Sequence, residues 1–398
     1  MSRETTVQRV PVITGMGCVS PLGCDTAATL QALRNGTDGV SGVRLFPVDA
    51  FHARTAGQVP DAIHGLAAAI CPEAVAWSRA AKFVLVAVTE ALAARPGFCP
   101  DVIIAGTTSG GMDFGERFFR GIRDGMAGGE ARRWVLGYPP QQPVLDVIGH
   151  LGWHAPVRVI SNACASGTNA LAWASGLVRS GSAERVLAVG FDALCELVFA
   201  GFDSLRASTP ELCRPFDTGR SGLSLGEGAA AFLIESAGSA SAALAAVAGS
   251  GFANDNHHLT QPEPGGTGPR LSMQRALADA GWAAEEVGYI NAHGTGTPFN
   301  DASEAAAIRA VCPSAPVSST KGMTGHALGA AGAIEAAYCI HAIREGFLPP
   351  NIHLRTSDSG LDIVANSPRP APPRRVLSNS FGFGGANATI ALEAWEPS

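Results

Sequence analysis

Charged residues are scarce in this chain. They make up 16% of its 398 residues, against 46% hydrophobic ones. That balance argues against a disordered protein, which would need the reverse. The length suffices for one large or two fused α/β domains with a substantial core. Positive charge is not in excess either. The formal net charge of −6 argues against non-specific nucleic-acid binding, though it leaves room for a local basic patch facing an acidic partner. No uninterrupted apolar run reaches transmembrane length, and Met1–Arg9 lacks a signal-peptide pattern. The nine cysteines are scattered and have no C-x-x-C spacing. This speaks against a structural zinc site and for reduced thiols in a cytoplasm. His257-His258 is the only adjacent histidine pair, and without a nearby cysteine it reads as loop. No long charged or Ser/Gly-rich linker divides the chain.

What is abundant is glycine, with 48 residues, set between short apolar runs. Val10–Thr14, Val102–Gly106, Val157–Ile160, Val186–Gly190, Ala229–Ile234, Val287–Ala292, Val317–Ser319 and Asn387–Leu392 read as strands. Helical stretches of small apolar residues alternate with many of them, so the expected class is α/β with buried sheets. One unit recurs. Val157–Asn162, a small-residue turn at Cys164 and a helix over Ala170–Arg179 match Val317–Thr320, a turn containing Gly322, Gly325 and His326, and a helix over Ala327–Ala342. This suggests two similar halves, 1–240 and 241–398, joined near Ser236–Ala242. Pro368–Arg375 reads as a surface connection before the final strands.

Cys164 lies in Ile160-Ser161-Asn162-Ala163-Cys164-Ala165-Ser166-Gly167-Thr168, at a strand-to-helix turn. Backbone N–H groups and the helix dipole favour a thiolate there, although a buried cysteine is by default a small apolar core residue. His293 follows a strand in Asn291-Ala292-His293-Gly294-Thr295-Gly296-Thr297. His326 closes Ser319-Thr320-Lys321-Gly322-Met323-Thr324-Gly325-His326. Either histidine alone reads as a loop or cap residue. With a cysteine at the matching turn, they suggest one site. Asn379-Ser380-Phe381-Gly382-Phe383-Gly384-Gly385 is a glycine-framed aromatic loop, either a plain β-turn or a source of N–H donors for an oxyanion.

These motifs, in this order, resemble the β-ketoacyl-acyl-carrier-protein synthases, specifically the elongating Cys-His-His branch of the thiolase superfamily. The resemblance extends to Val12–Gly23, Arg214–Asp217 and Leu225–Gly228 and covers essentially the whole chain. It implies a thiolase-like fold of two similar halves in αβαβα layers. It also implies decarboxylative Claisen condensation of a malonyl thioester with an acyl group held on Cys164. The N–H groups of Cys164 and Phe383 would form the oxyanion hole, and His293 and His326 would stabilise the enolate. Lys321, paired with Glu335, would support the histidines. The plain alternative is a structural ion pair. Glu304 would be structural, and Phe383 a gate, flanked by Gly382 and Gly384. No metal, flavin or nicotinamide is required.

The resemblance also implies partners: an acidic acyl carrier protein bearing phosphopantetheine, and a second subunit. Arg206 resembles a docking position, with Arg132 and Arg133 as further candidates. Two departures bear on the substrate. Ser109, in Gly106–Gly111, stands near a position often occupied by a bulky aliphatic residue of the acyl tunnel. The segment from Pro139 to His154, at the expected dimer interface, is short and polar. Both favour a specialised type II polyketide or polyene pathway with a chain-length-factor partner. A fatty-acid elongating synthase is the alternative. A non-catalytic chain-length-factor-like subunit is a third reading, opposed by the intact Cys164, His293 and His326. A degradative thiolase would need a second cysteine near Asn379–Asn387, where none occurs.

Overall fold

The computed structural model describes residues 9–126, 128–240 and 242–396. The reading of Met1–Arg9 therefore concerns mostly residues outside the described ones, as does residue 241 at the expected join. Ten strands form the main sheet system: β1 (Pro11–Val19), β2 (Val102–Gly106), β3 (Val157–Ile160), β4 (Arg185–Asp192), β5 (Gly228–Ser236), β6 (Ala245–Asn254), β7 (Tyr289–Asn291), β8 (Val317–Ser318), β9 (Arg375–Gly382) and β10 (Ala386–Glu393). Their spatial order is β8-β7-β9-β10-β6-β1-β5-β4-β2-β3.

The two ends of this order mirror each other. From β1 outward, the pairings to β5 and β4 are antiparallel, and those to β2 and β3 parallel. From β6 outward, the pairings to β10 and β9 are antiparallel, and those to β7 and β8 parallel. The two groups meet only where Val12 and Ile13 of β1 pair with Ala246 and Ala245 of β6. Helices cover both faces, as parallel strand pairs require. Helix α1 (Arg79–Ala94) packs outside β1 and β5. Between the sheet groups lie α2 (Ser166–Arg179) and α5 (Ala331–Glu345), in mutual contact. Helices α3 (Thr267–Ala280) and α4 (Pro298–Val311) cover the far side of the second group. The architecture is α/β, with two similar halves in αβαβα layers.

The central layer is where the site forms. Helices α2 and α5 each start at the C-terminal end of a parallel strand, where open α/β sheets place their ligands. Their close crossing depends on glycine. A Cβ at Gly332 would stand 2.0 Å from Thr168 Oγ1, and one at Gly167 2.8 Å from the Gly329 carbonyl oxygen.

Several expected boundaries move. Strand β1 runs on to Val19 through Gly15 and Gly17, which read as turn residues. A Cβ at Gly17 would meet the Ala87 carbonyl at 1.9 Å, so these glycines let α1 lie close on the strand. The helix expected from Ala327 begins with a 3-10 turn, Leu328–Ala330, before α5 proper. Arg369–Pro370, inside the expected proline-rich connection, pairs as a short strand with Phe347–Leu348.

Candidate active site

Strand β3 ends at Ile160, and α2 begins at Ser166. The five residues between them make a tight turn, with Ala163 in the left-handed region at φ 47°. That strain is held by hydrogen bonds. Ser166 Oγ and Thr108 Oγ1 both donate to the Ala163 carbonyl, at 2.6 and 3.1 Å. Cys164 is thereby presented at the end of the strand.

His293 leaves β7 on a loop whose backbone is gripped by Glu304 of α4. The carboxylate accepts from the N–H groups of His293 and Gly294, at 2.8 and 2.7 Å, and from Asn379 Nδ2 at 3.1 Å. Burial pushes Glu304 up to about 7. His326 follows the short helix Lys321–Thr324. Its backbone N–H donates to Ser224 at 2.7 Å, and its carbonyl accepts from Gly226 at 2.8 Å. Gly325, at φ 67°, makes this approach feasible, because a Cβ there would lie 2.3 Å from the Leu225 carbonyl oxygen.

The three side chains converge. Sγ of Cys164 and ring nitrogens of His293 and His326 lie within 4.8 Å of one another, and all three residues are buried. The two imidazoles meet edge to face, with centroids 5.2 Å apart. His293 Nδ1 and both ring nitrogens of His326 have no protein hydrogen-bond partner. These nitrogens are free to hydrogen-bond a substrate atom in the cavity that both histidines line. Burial, followed by the charge of Lys321, holds both histidines well below the usual imidazole range. Each is therefore neutral at physiological pH, with one N–H to donate.

The thiol departs from expectation. Burial pushes Cys164 up to about 12, against the pull of Lys321 and of the Phe383 and Cys164 backbone N–H groups. The resting sulfur keeps its proton at neutral pH, because loss of solvent outweighs the helix N-terminus. A cysteine and two histidines within bonding range could also hold a soft or borderline cation, but Lys321 acts on all three and opposes a second positive charge.

Lys321 and Glu335 form a buried ion pair. Glu335 Oε2 has no partner, and burial raises this carboxyl to about 7 against the opposing effect of Lys321. Phe383 sits on a loop with Gly384 at φ 83° and Gly385 at φ 80°, and its ring stacks on Phe202 at 5.4 Å. Gly382 lets this loop press on the cysteine turn. A Cβ there would come within 3.2 Å of both Ala163 Cβ and Cys164 N. A cavity of about 280 Å³ reaches from these groups to the surface, lined by Cys164, His293, His326, Phe202, Phe383 and Arg206 among others.

Ser109 does not line this cavity. Its hydroxyl donates to Asp192 at 2.7 Å, away from the opening. Arg206 is exposed and lies at the cavity, whereas Arg132 and Arg133, on helix Gly129–Gly137, are exposed and do not line it. His258 is in a loop, as expected, and lines the cavity. Sequence reasoning missed Thr295 and Thr297, whose hydroxyls lie 2.9 Å apart on the cavity wall. Their signal was the Thr-Gly-Thr that follows His293. Asp192, with no motif around it, was also missed.

A buried thiol facing two neutral imidazoles, at the helix starts of a two-half thiolase-like fold, defines an acyl-transferring condensing enzyme. Comparison with known proteins gives the family. Residues 146–240 match the β-ketoacyl synthase N-terminal domain, and 244–355 the β-ketoacyl synthase C-terminal domain. Nodulation protein E of Rhizobium meliloti strain 1021 is 34% identical, covering 97% of this chain and all of that protein. 3-oxoacyl-[acyl-carrier-protein] synthase 2 of Staphylococcus aureus strain COL is also 34% identical, over 97% of this chain and 98% of that one. Among solved structures, a chain of the ishigamide ketosynthase/chain length factor superposes with TM-score 0.89 at 30% identity, covering 98% of this chain and 100% of that one. The ketosynthase ApeO in complex with its chain length factor ApeC, from Xenorhabdus doucetiae, gives 0.80 at 28% identity, with 99% and 100% covered. The chain belongs to the β-ketoacyl synthase family. Among its described residues no helix is long and apolar enough to cross a membrane.

Proposed function

We propose that this chain is the catalytic ketosynthase of a specialised type II polyketide or polyene pathway, acting in the cytoplasm. The convergence of Cys164 with the unpartnered nitrogens of His293 and His326 carries the reading. Residues 1–240 would supply the nucleophile, and residues 241–398 both histidines. The mirrored strand order supports that division.

In the first half-reaction, Cys164 Sγ attacks the carbonyl carbon of an acyl-carrier thioester. The new S–C bond replaces the carrier's, and the thiol proton leaves on the phosphopantetheine sulfur. The N–H groups of Cys164 and Phe383 face the sulfur and stabilise the tetrahedral oxyanion. In the second, malonyl carrier protein loses carbon dioxide, and the electron pair of the broken bond forms an enolate. His293 and His326 donate to its oxygen. The enolate carbon attacks the acyl carbon, giving a β-ketoacyl carrier two carbons longer. Cys164 leaves as a thiolate and takes up a proton from water, the one proton that the overall reaction consumes. Neutral imidazoles suit this task, since a proton fully transferred to the enolate would quench the nucleophile. Carbon dioxide release from malonyl carrier protein, in step with β-ketoacyl product, tests the reading. An absence of both contradicts it.

The partners follow from the surface. Exposed Leu205 and Phe299 line the cavity together with Arg206. This mixed apolar and basic rim suits an acidic carrier protein. We expect Arg206→Glu to weaken use of carrier-bound substrate while leaving acylation by a small thioester mimic intact. Equal loss with both would indicate a damaged fold. Strand β3 is a sheet edge, α2 beside it exposes Trp173, and the helix Met112–Arg123 exposes Phe119 and Ile122. These support a dimer with a chain-length-factor-like subunit. Two solved relatives are described with such a partner, and another as a type II PKS carrier protein complexed with its ketosynthase.

Ser109 does not line the resting cavity, so the proposal that it bears on the acyl group requires a longer chain to reach past the cavity wall. Ser109→Ile adds volume in a confined place and removes a hydrogen bond to Asp192. Overpacking of this kind costs ~1–3 kcal/mol. The variant should still take acetyl groups on Cys164 but lose long or conjugated acyl carriers. Equal use of short and long chains would remove Ser109 from the acyl pocket. A fatty-acid elongating synthase is the second reading, favoured by the similarity to the Staphylococcus synthase. A fully active homodimer that prefers saturated chains would establish it.

A further inference from the structure

We infer that Asp192 is a positioning residue that sets the Cys164 turn against the His326 turn, across the two halves of the fold. The inference rests on the proposed ketosynthase reading. Asp192 ends strand β4 and is fully buried. It has no ion-pair partner among the described residues, and burial pushes its carboxyl upward. Five donors hold it instead. Oδ1 accepts from Thr107 Oγ1 at 2.7 Å, Ser109 N at 2.8 Å and Ser109 Oγ at 2.7 Å. Oδ2 accepts from Thr108 N at 2.9 Å and Gly329 N at 2.7 Å. Three of the five are backbone N–H groups, which can only donate, and they favour the ionised, acceptor-only form.

Residues 107–109 follow strand β2 and hydrogen-bond to the cysteine turn, and Gly329 belongs to the turn that follows His326. Thr108 Oγ1 donates to the strained Ala163 carbonyl, next to Cys164, and Thr107 N donates to Ile160, where the nucleophile turn begins. Gly329 lies three residues after His326, in the 3-10 turn that opens α5. It approaches so closely that a Cβ would stand 2.6 Å from Thr108 N and 2.7 Å from Asp192 Oδ2. One carboxylate thus links the 107–109 loop, which holds the cysteine turn, to the histidine turn. Its charge opposes ionisation of Cys164, the wrong direction for a group meant to activate the thiol. That cost is consistent with a geometric role.

Asp192→Asn separates this role from a general loss of structure. In either amide orientation the NH2 group faces at least one backbone N–H, that of Ser109 on one side or those of Thr108 and Gly329 on the other, so the five-donor set is broken while volume is conserved. Three rates are measured: acylation of Cys164 by a small thioester, carbon dioxide release from malonyl carrier protein, and β-ketoacyl formation. Only the last needs both turns in register. A misplacement near 1 Å costs on the order of 10²-fold. We expect that loss in condensation, with acylation and decarboxylation falling far less. Carbon dioxide released per β-ketoacyl product should rise well above the wild-type value of one. Iodoacetamide alkylation of Cys164 at fixed pH should quicken as the opposing charge is lost, and Asp192→Glu should restore part of the coupling. Should Asp192→Asn not fold, Ser109→Ala carries the test, because it removes one donor and predicts the same change in ratio on a smaller scale. An unchanged ratio in a folded variant, or an equal fall in all three rates, overturns the inference. A wild type that does not condense at all would count against the ketosynthase reading instead.

Discussion

Cys164→Ala should abolish β-ketoacyl formation while carbon dioxide is still released from malonyl carrier protein. The thiol is the strongest nucleophile among the described residues of the site, so its loss should cost condensation on the order of 10⁴-fold or more. Decarboxylation requires only a bound malonyl group and the donors that receive the enolate charge. In the proposed mechanism those donors are His293 and His326, anchored by Glu304 and by the Ser224–Gly226 backbone rather than by Cys164. Alanine also frees space in a crowded, buried centre without introducing a charge. The check is parallel measurement of released carbon dioxide and of product by mass spectrometry. Loss of both in a folded variant would mean that the cysteine is needed to build the malonyl site as well.

His326→Ala and His293→Ala should show the complementary pattern. Removing one preorganised donor to a developing oxyanion costs about 10²–10³-fold. We expect that loss in decarboxylation, with acylation of Cys164 by a short thioester much less affected. The prediction follows from electrostatics. Both rings are neutral because burial and Lys321 suppress their protonation, so their contribution is the directed N–H. Replacement by glutamine, which keeps an N–H donor, should recover part of the decarboxylation. A His variant that decarboxylates at the wild-type rate would remove that residue from the enolate site.

The groups that were legible in the sequence share a physical trait: each stands where an apolar strand stops and small residues begin. Cys164 and His326 occupy matching turns, and their matching helix starts could be read from the repeat of strand, turn and small-residue helix. What could not be read depends on long-range packing. Gly15 and Gly17 look like turn residues until α1 is seen lying on them. Asp192 follows Gly190-Phe191 with no local pattern, and its donors come from residues 107–109 and 329. The hydroxyl of Ser109 belongs to that same cluster, which the run Gly106–Gly111 does not reveal. The protonated state of Cys164 likewise depends on how completely the surrounding layers exclude water, whereas the helix N-terminus that favours ionisation is visible locally.

The central claim is that Cys164 carries the acyl chain that the malonyl-derived enolate attacks. Its most direct test is intact-mass and peptide-mass analysis of the wild-type protein. The protein is first incubated with acyl carrier protein and then chased with malonyl carrier protein. The account predicts an acyl adduct confined to the peptide containing Cys164. On the chase, that adduct should disappear as a β-ketoacyl carrier two carbons longer appears. An adduct on another residue, or an acyl-Cys164 that malonyl carrier protein leaves untouched, would contradict it.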